Sequence, residues 1–239
     1  MFHVEHSIRE AAEQQLQAFL RGCDLLGFSL TPHQVQQIHT YLELLLDWNR
    51  RMNLFAPGDA GRLAERHVLE SIAWIRAFPS PIPEGLLDVG TGAGFPGLPI
   101  AVLLDYTHVV LLDSKRKKIQ FLEHAIHRLG LKSRVRTVLS RVEELDRQRF
   151  AETAFPLITA RAVASLKKLV EWTLPWLCDG GKLVTFKGDR LEDEVRELTR
   201  GKNALKIAVQ VIDYTAWRNV LDRPQKVQRR MVVVTRKGE

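Results

Sequence analysis

Apolar residues along the chain follow two rhythms, and the change comes near residue 80. Before it the spacing is helical. In "TPHQVQQIHTYLELLLDWNRRMNL", Ile38, Leu42, Leu45 and Met52 recur at intervals that put them on one side of a helix. Thr31 is placed to cap that helix and Pro32 to open it. "APGDAG" breaks the pattern, "RLAERHVLESIAWIRAF" resumes it, and the proline-rich "PSPIPEG" reads as a linker. Beyond the linker, short apolar runs alternate with amphipathic stretches. The strand signals are "GLLDVG", "HVVLLD", "RVRTVLS", "PLITARA", "GKLVTFKG", "KIAVQVID" and "RMVVVTR". Helical segments between them are "GLPIAVLL", "KRKKIQFLEHAIHRLG", "SLKKLVEWTLPWL" and "DRLEDEVRELTR". Such alternation predicts an α/β fold whose mostly parallel sheet is covered on both faces. The last two strands lack a strong helix between them, so an antiparallel hairpin is expected at one edge. A helical cap over residues 1–80 and a seven-stranded domain over 81–239 complete the expected organisation.

The first strand runs into "LLDVGTGAGFPGLPI", where Gly90, Gly92, Gly94 and Gly97 crowd into eight positions. Glycine offers nothing to pack and costs chain entropy, so such a cluster marks unusual dihedrals or a ligand close to the backbone. A strand, a glycine loop and a helix N-terminus form a cradle. In open parallel sheets ligands bind beyond the carboxyl ends of the strands. The polar residues expected there are Asp88, Asp113 with Ser114, Ser140 and Arg141 with Glu143 a turn later, Arg161, and Lys187. Asp113 follows Gly94 by nineteen residues, where an acid can accept hydrogen bonds from both ribose hydroxyls. That points to a nucleoside derivative. Read as G-x-G-x-x-G, "GAGFPG" suits a nicotinamide dinucleotide, but leaves Asp88 stranded inside a buried strand at a cost of several kcal/mol. Read as "DVGTGAG", the acid ends the strand and suits a cationic amino acid rather than a pyrophosphate. S-adenosylmethionine (SAM) has such an ammonium group, a ribose and no phosphate, and the second register is preferred.

Charge sharpens the picture. The chain carries a net +7, yet residues 1–80 hold 7 basic and 9 acidic residues. The basic excess therefore lies in the part with the glycine loop, which suggests a polyanionic partner. No apolar run approaches the ~18 residues of a membrane span, and the N-terminus lacks the apolar core of a secretory signal. Cys23 and Cys178 stand far apart without metal-ligand spacing, as expected of reduced thiols in a cytoplasmic protein.

"LLDVGTGAGFPGLPIAVL", with "VVLLDSKRKKIQFL", "SRVEEL", "ITARAVASL" and "VTFKG", resembles the ribosomal RNA small subunit methyltransferase G family, formerly glucose-inhibited division protein B. "DWNRRMNL" and "RHVLESI" extend the likeness upstream, so that it spans about residues 25 to 236. The resemblance implies a Rossmann-like SAM-dependent methyltransferase fold, with Gly90, Phe95, Asp113, Val142, Glu143 and Arg161 lining the SAM site. It further implies methyl transfer to N7 of one guanine in the 530 loop of 16S rRNA, with the small ribosomal subunit or its precursor as partner. Neither DNA nor a membrane is expected to bind, and a monomer is expected. On this reading Asp88 with Gly90, Gly92 and Gly94 holds the methionine end, Asp113 with Ser114 the ribose, and Val142–Glu143 the adenine. Arg161 and Lys187 are candidates for positioning the target base or the methionine carboxylate. Two departures from the family stand out: the opening "MFHVEHSIREAAEQQ", and "QRRMVVV" where a histidine-bearing strand is common.

The absences fit N7 chemistry. Methylation of a base carbon needs a thiolate nucleophile, and Cys178 in "WLCDGG" reads as a packed turn residue. Exocyclic amine transfer often uses an N/D-P-P-Y motif, where this chain has "ARAVAS". Other residues carry two readings each. His67 is a site residue or a hydrogen-bonded structural histidine. Asn49 and Asn53 contact the base or cap a loop. Lys115 to Lys118 form a solvated helix start or meet RNA phosphate. Trp48, Trp74, Trp172 and Trp176 read as core. The rival functions are a SAM enzyme for a small molecule, a nicotinamide oxidoreductase and a catalytically silent RNA-binding protein.

Overall fold

The computed structural model describes residues 2–79, 81–145, 154–186, 191–200 and 206–238. Seven strands form one sheet: β1 (Gly85–Val89), β2 (His108–Asp113), β3 (Val135–Leu139), β4 (Phe155–Arg161), β5 (Leu177–Phe186), β6 (Ile207–Arg218) and β7 (Gln225–Arg236). Their order is β3-β2-β1-β4-β5-β7-β6. The first five pair in parallel, β7 runs antiparallel to β5, and β6 forms the expected edge hairpin with β7. Order reverses between β1 and β4, and a crevice opens beyond the carboxyl ends of strands at such a reversal.

Neighbouring apolar residues of each central strand point to opposite faces, and both faces are buried. One core gathers Leu86, Leu111, Leu157, Val184 and Met231 with residues of the N-terminal helices; the other gathers Leu87, Leu112, Ile158, Leu183 and Val232. Helices α1 (Phe2–Leu26) and α2 (Pro32–Asn49) cover the first face, together with the short α3 (Glu70–Ala73) and α4 (Gly97–Leu103). The other helices are α5 (Arg116–Arg128), α6 (Leu166–Thr173) and α7 (Leu191–Thr199). Ala12, Leu16, Phe19 and Cys23 in α1 are all buried, at spacings of three and four that give one face. None of the described helices is long and apolar enough to cross a membrane.

Polar ties on one face of α2 seat it on the sheet. Thr31 and Gln34 form a reciprocal capping box, and the Gln34 amide also donates to the carbonyls of Val102 and Leu103 at the end of α4. Gln37 donates to Leu129 at the end of α5 (2.7 Å), and the Tyr41 hydroxyl donates to Ala93 in the glycine loop (2.6 Å). Carbonyls left open at two helix ends thereby gain donors from a third helix.

Two local expectations are corrected. The helix expected through Leu54 stops at Asn49, whose side-chain oxygen accepts from the backbone N–H of Leu54 (2.8 Å) and Phe55 (3.0 Å). An asparagine that bonds the chain ahead of it competes with helix continuation. Asn53 is therefore off the helix and exposed. The segment expected as one regular helix after "APGDAG" is instead a π-helical turn at Ala64–Leu69, α3, and a 3₁₀ turn at Trp74–Ala77. Its carboxylates bind different parts of the fold. Glu65 accepts from the backbone N–H of Asn219 and Val220 at the tip of the β6–β7 hairpin, and Glu70 pairs with Arg229 of β7.

Candidate active site

The glycine loop leaves β1 at Gly90, whose φ of +65° lies in the left-handed region; a Cβ there would come within 2.6 Å of the Val163 side chain. At the far end of the loop, a Cβ on Gly97 would meet Leu111 at 2.4 Å and an Asp88 carboxylate oxygen at 2.9 Å. Helix α4 can approach the sheet this closely only through glycine.

Asp88 explains the loop's shape. Its Oδ2 accepts from the Thr91 hydroxyl (2.6 Å) and the Gly97 N–H (3.0 Å), and its Oδ1 accepts from the Thr159 hydroxyl (2.9 Å). Thr159 stands directly across the β1–β4 pairing from Asp88. The residue is 0% exposed. Burial pushes its carboxyl up to about 6, against the pull of the three hydrogen bonds. This corrects the expectation that Asp88 grips a ligand's ammonium. The carboxylate lies beneath the loop and is committed to it.

Beyond the strand ends lies a cleft of about 360 Å³, within the usual range for small-molecule sites. Of the residues expected to hold the cofactor, Gly90, Asp113, Ser114, Val142 and Glu143 line it, with Ser140 from the end of β3. Asp113 is nearly buried. Its Oδ2 accepts from the Gly92 N–H (3.0 Å) and its Oδ1 from the Lys115 N–H (2.9 Å), which fixes the carboxylate between loop and α5. Leu112, Val142 and Trp172 add apolar wall, while Lys115, Lys118 and Arg141 bring positive charge. Trp172 thus lies at the cleft rather than wholly in the core as expected; Trp74 is fully buried. Ala162 also lines the cleft and holds a φ of +56°, rare for a residue with a side chain.

A second group gathers around Phe95 of the loop. Phe95 stacks on the His67 ring with centroids 5.2 Å apart, and the Arg161 guanidinium lies 5.3 Å from the Phe95 ring centroid. Arg161 also bonds His67 Nδ1 at 3.0 Å, and His67 Nε2 bonds Asp59 at 2.9 Å. Burial lowers the Arg161 pKa from its usual value, while Glu70 and Asp88 act to raise it. A Cβ on Gly94 would come within 2.6 Å of the Leu98 side chain and 2.9 Å of the Tyr41 hydroxyl. Asn49 serves the loop it caps. Lys187 lies outside the described residues.

Comparison with known proteins accounts for this arrangement. A family model described as "GidB: rRNA small subunit methyltransferase G" matches residues 34–220. The chain belongs to this family. A relative from Alkaliphilus metalliredigens, named ribosomal RNA small subunit methyltransferase G, is 38% identical over 186 residues, covering 78% of this chain and 76% of that one. Another of the same name from Streptococcus pyogenes is 39% identical over 190 residues, covering 79% and 78%. Among solved structures, P. horikoshii TYW2 in complex with MeSAdo has the same fold, with a TM-score of 0.53 at 15% identity over 77% of this chain and 65% of that one.

The methyltransferase G family resemblance raised a question about the last strand, and the geometry answers part of it. Arg229 in "QRRMVVV" pairs with Glu70 (3.2 Å), beside the His67 segment, and Arg230 pairs with Glu192 of α7. Residues of this site that sequence reasoning passed over are Asp59, Tyr41 and Trp172. Asp59 sat in a stretch read only as a helix break. Tyr41 follows Gln34 and Gln37 at helical spacing, a signal that marked the face without revealing its target.

Proposed function

We propose that this chain methylates N7 of one guanine in the 530 loop of 16S rRNA, using SAM held in the cleft above the glycine loop. The observation that carries the reading is the cleft in a chain of this family: Asp113 and Glu143 beside bare loop backbone suit a nucleoside without phosphates. Asp113 would hold the ribose, Val142 and Glu143 the adenine, and the backbone of Gly90 to Gly94 the methionine end. When bound, SAM supplies a methyl group on a positively charged sulfur. Guanine N7 has an exposed lone pair and no proton to lose. The chain then needs to orient the base, exclude water and supply no general base. The group around Arg161 agrees with that demand. Both ring nitrogens of His67 are engaged, so it is no free base, and the partly exposed Arg161 would offer guanidinium donors to an incoming base. The decisive experiment is mass mapping of 16S rRNA from cells with and without this gene; an unchanged 530 loop would defeat the reading.

Asp113→Ala should weaken SAM binding by about 1–3 kcal/mol, since charge-assisted hydrogen bonds to the ribose would be lost. Calorimetry on the folded variant checks this, and unchanged affinity would remove Asp113 from the site.

The basic rim is the proposed RNA contact. Helix α5 opens with Arg116, Lys117 and Lys118 and has no acid in its first turn. Cations at a helix N-terminus oppose the macrodipole, so this end gains from a neighbouring anion. RNA affinity should fall steeply with salt, and changing Lys115, Arg116 and Lys118 to Ala should flatten the log–log slope by about 2, at ~0.7–0.9 per phosphate contact. Filter binding over a salt series reads the slope, and an unaltered one would move the RNA face elsewhere.

A further inference from the structure

We infer that Asp59 is a positioning residue for Arg161, acting through the His67 ring. The inference rests on the methyl-transfer reading and adds a residue to it. Arginine has no acceptor, so the Arg161 Nη2 to His67 Nδ1 contact of 3.0 Å requires Nδ1 to be unprotonated and to accept. The ring proton therefore sits on Nε2, which donates to Asp59 Oδ2 at 2.9 Å. The other Asp59 oxygen accepts from Arg66 at 2.5 Å, which holds the carboxylate in place. Phe95 stacks on the imidazole at 5.2 Å, and Phe55 lies 5.9 Å from it at 40°. The ring can neither flip nor tilt without giving up one of these contacts. Asp59, from the 3₁₀ turn at Pro57–Arg62, thus sets the tautomer of a histidine on the π-helical turn. That histidine in turn sets the direction of a guanidinium at the end of β4, 94 residues further along the chain.

This arrangement has a pH sign. The charged groups facing His67 are Asp59 from the 3₁₀ turn, Glu70 from α3 and Arg161 from β4, with Arg66 beyond Asp59. Burial and then Arg161 lower the His67 pKa from 6.5, against Asp59 and Glu70. Protonating Nδ1 would remove the acceptor for Arg161 and set two cations side by side. The positioning is present above the His67 pKa and is lost as pH falls through it, below 6.5.

Two measurements on the full chain test the inference. Nitrogen NMR of the labelled histidines should show His67 at pH 7 as the neutral Nε2–H tautomer. An Nδ1–H tautomer or an imidazolium would overturn the inference, whatever the variants do. Asp59→Ala should lower kcat for methyl transfer about tenfold to a hundredfold, the cost of a small misplacement at a reacting centre. SAM affinity should hold within about threefold, because Asp59 does not line the cleft. In a His67→Ala background the same change should cost nothing further in kcat; additive losses would mean that Asp59 acts by another route. His67→Gln, which can accept from Arg161 and donate to Asp59, should exceed His67→Ala in kcat and lack the acid limb of the wild type. Should Asp59→Ala not fold, Asp59→Asn with the NMR readout takes its place, and the single Nε2–H tautomer of the wild type is then expected to give way to a mixed tautomer population; an unchanged ring signal would overturn the inference. Absence of methyl transfer by the wild type defeats the proposed function instead, whereas an active wild type with unchanged kcat in Asp59→Ala defeats this inference alone.

Discussion

An rRNA substrate with 7-deazaguanine at the target position should bind almost normally and accept no methyl group. Only one ring atom changes, so stacking, phosphate contacts and the base-pairing edge survive, whereas the lone pair proposed as nucleophile is gone. N7 is an acceptor on the major-groove edge of guanine. Transfer to any other atom would ask for chemistry that the described residues of the site do not present. An exocyclic amine or a ribose hydroxyl must shed a proton, and His67, the histidine beside Arg161, has its nitrogens occupied by Arg161 and Asp59. A base carbon would need a thiolate, and Cys178 lies at the start of β5, at the amino-terminal end of the parallel strands, opposite the end that opens on the cleft. Mass spectrometry of the reacted RNA reads the outcome directly. A methyl group on the deaza substrate would overturn the N7 assignment.

The second large effect concerns stability. Asp88→Ala should cost about 3–5 kcal/mol, because the Thr91 and Thr159 hydroxyls and the Gly97 N–H would lose their acceptor in a site closed to water. Asp88→Asn should cost much less. Its carboxamide oxygen can take the Thr91 and Gly97 donors, and its amide can donate to the Thr159 hydroxyl. The two side chains then differ in pH response. The Asp88 carboxyl is pushed up from 3.8 to about 6 by burial, so the folded chain binds this proton more tightly than the unfolded chain. The Asp88 contribution is therefore most favourable below about 4 and is lost as pH rises through 6. Relative to Asp88→Asn, the wild type should gain up to about 2–3 kcal/mol between pH 7 and pH 4. Urea denaturation of both proteins at the two pH values checks the sign. A constant difference would mean that the three hydrogen bonds cancel the cost of burial.

The alternating pattern after residue 80 determined the seven strands, the parallel pairing of the first five and the hairpin at the edge. Those features were legible because each depends on local periodicity and on helices long enough to cross between strands. The cleft was legible for a related reason: the glycine loop and the strand ends must lie together in any open parallel sheet, which brought Gly90, Asp113, Ser114 and Glu143 to one place, while Val142 was implied by the family resemblance. What the pattern could not decide was how a polar side chain spends its hydrogen bonds. The preferred reading put Asp88 at the end of its strand, whereas it lies within β1, and only its packing against Thr159 and Gly97 made it a brace beneath the loop. Asn49 sits in an unbroken helical rhythm, and only the return of Leu54 and Phe55 to its side chain ended the helix there. Asp59, His67 and Arg161 carry no common signal in the chain. Their meeting depends on a turn, an irregular helix and a strand end that packing alone brings together. Backbone periodicity is a property of near neighbours, whereas the pairing of buried polar groups is settled only when distant segments exclude water between them.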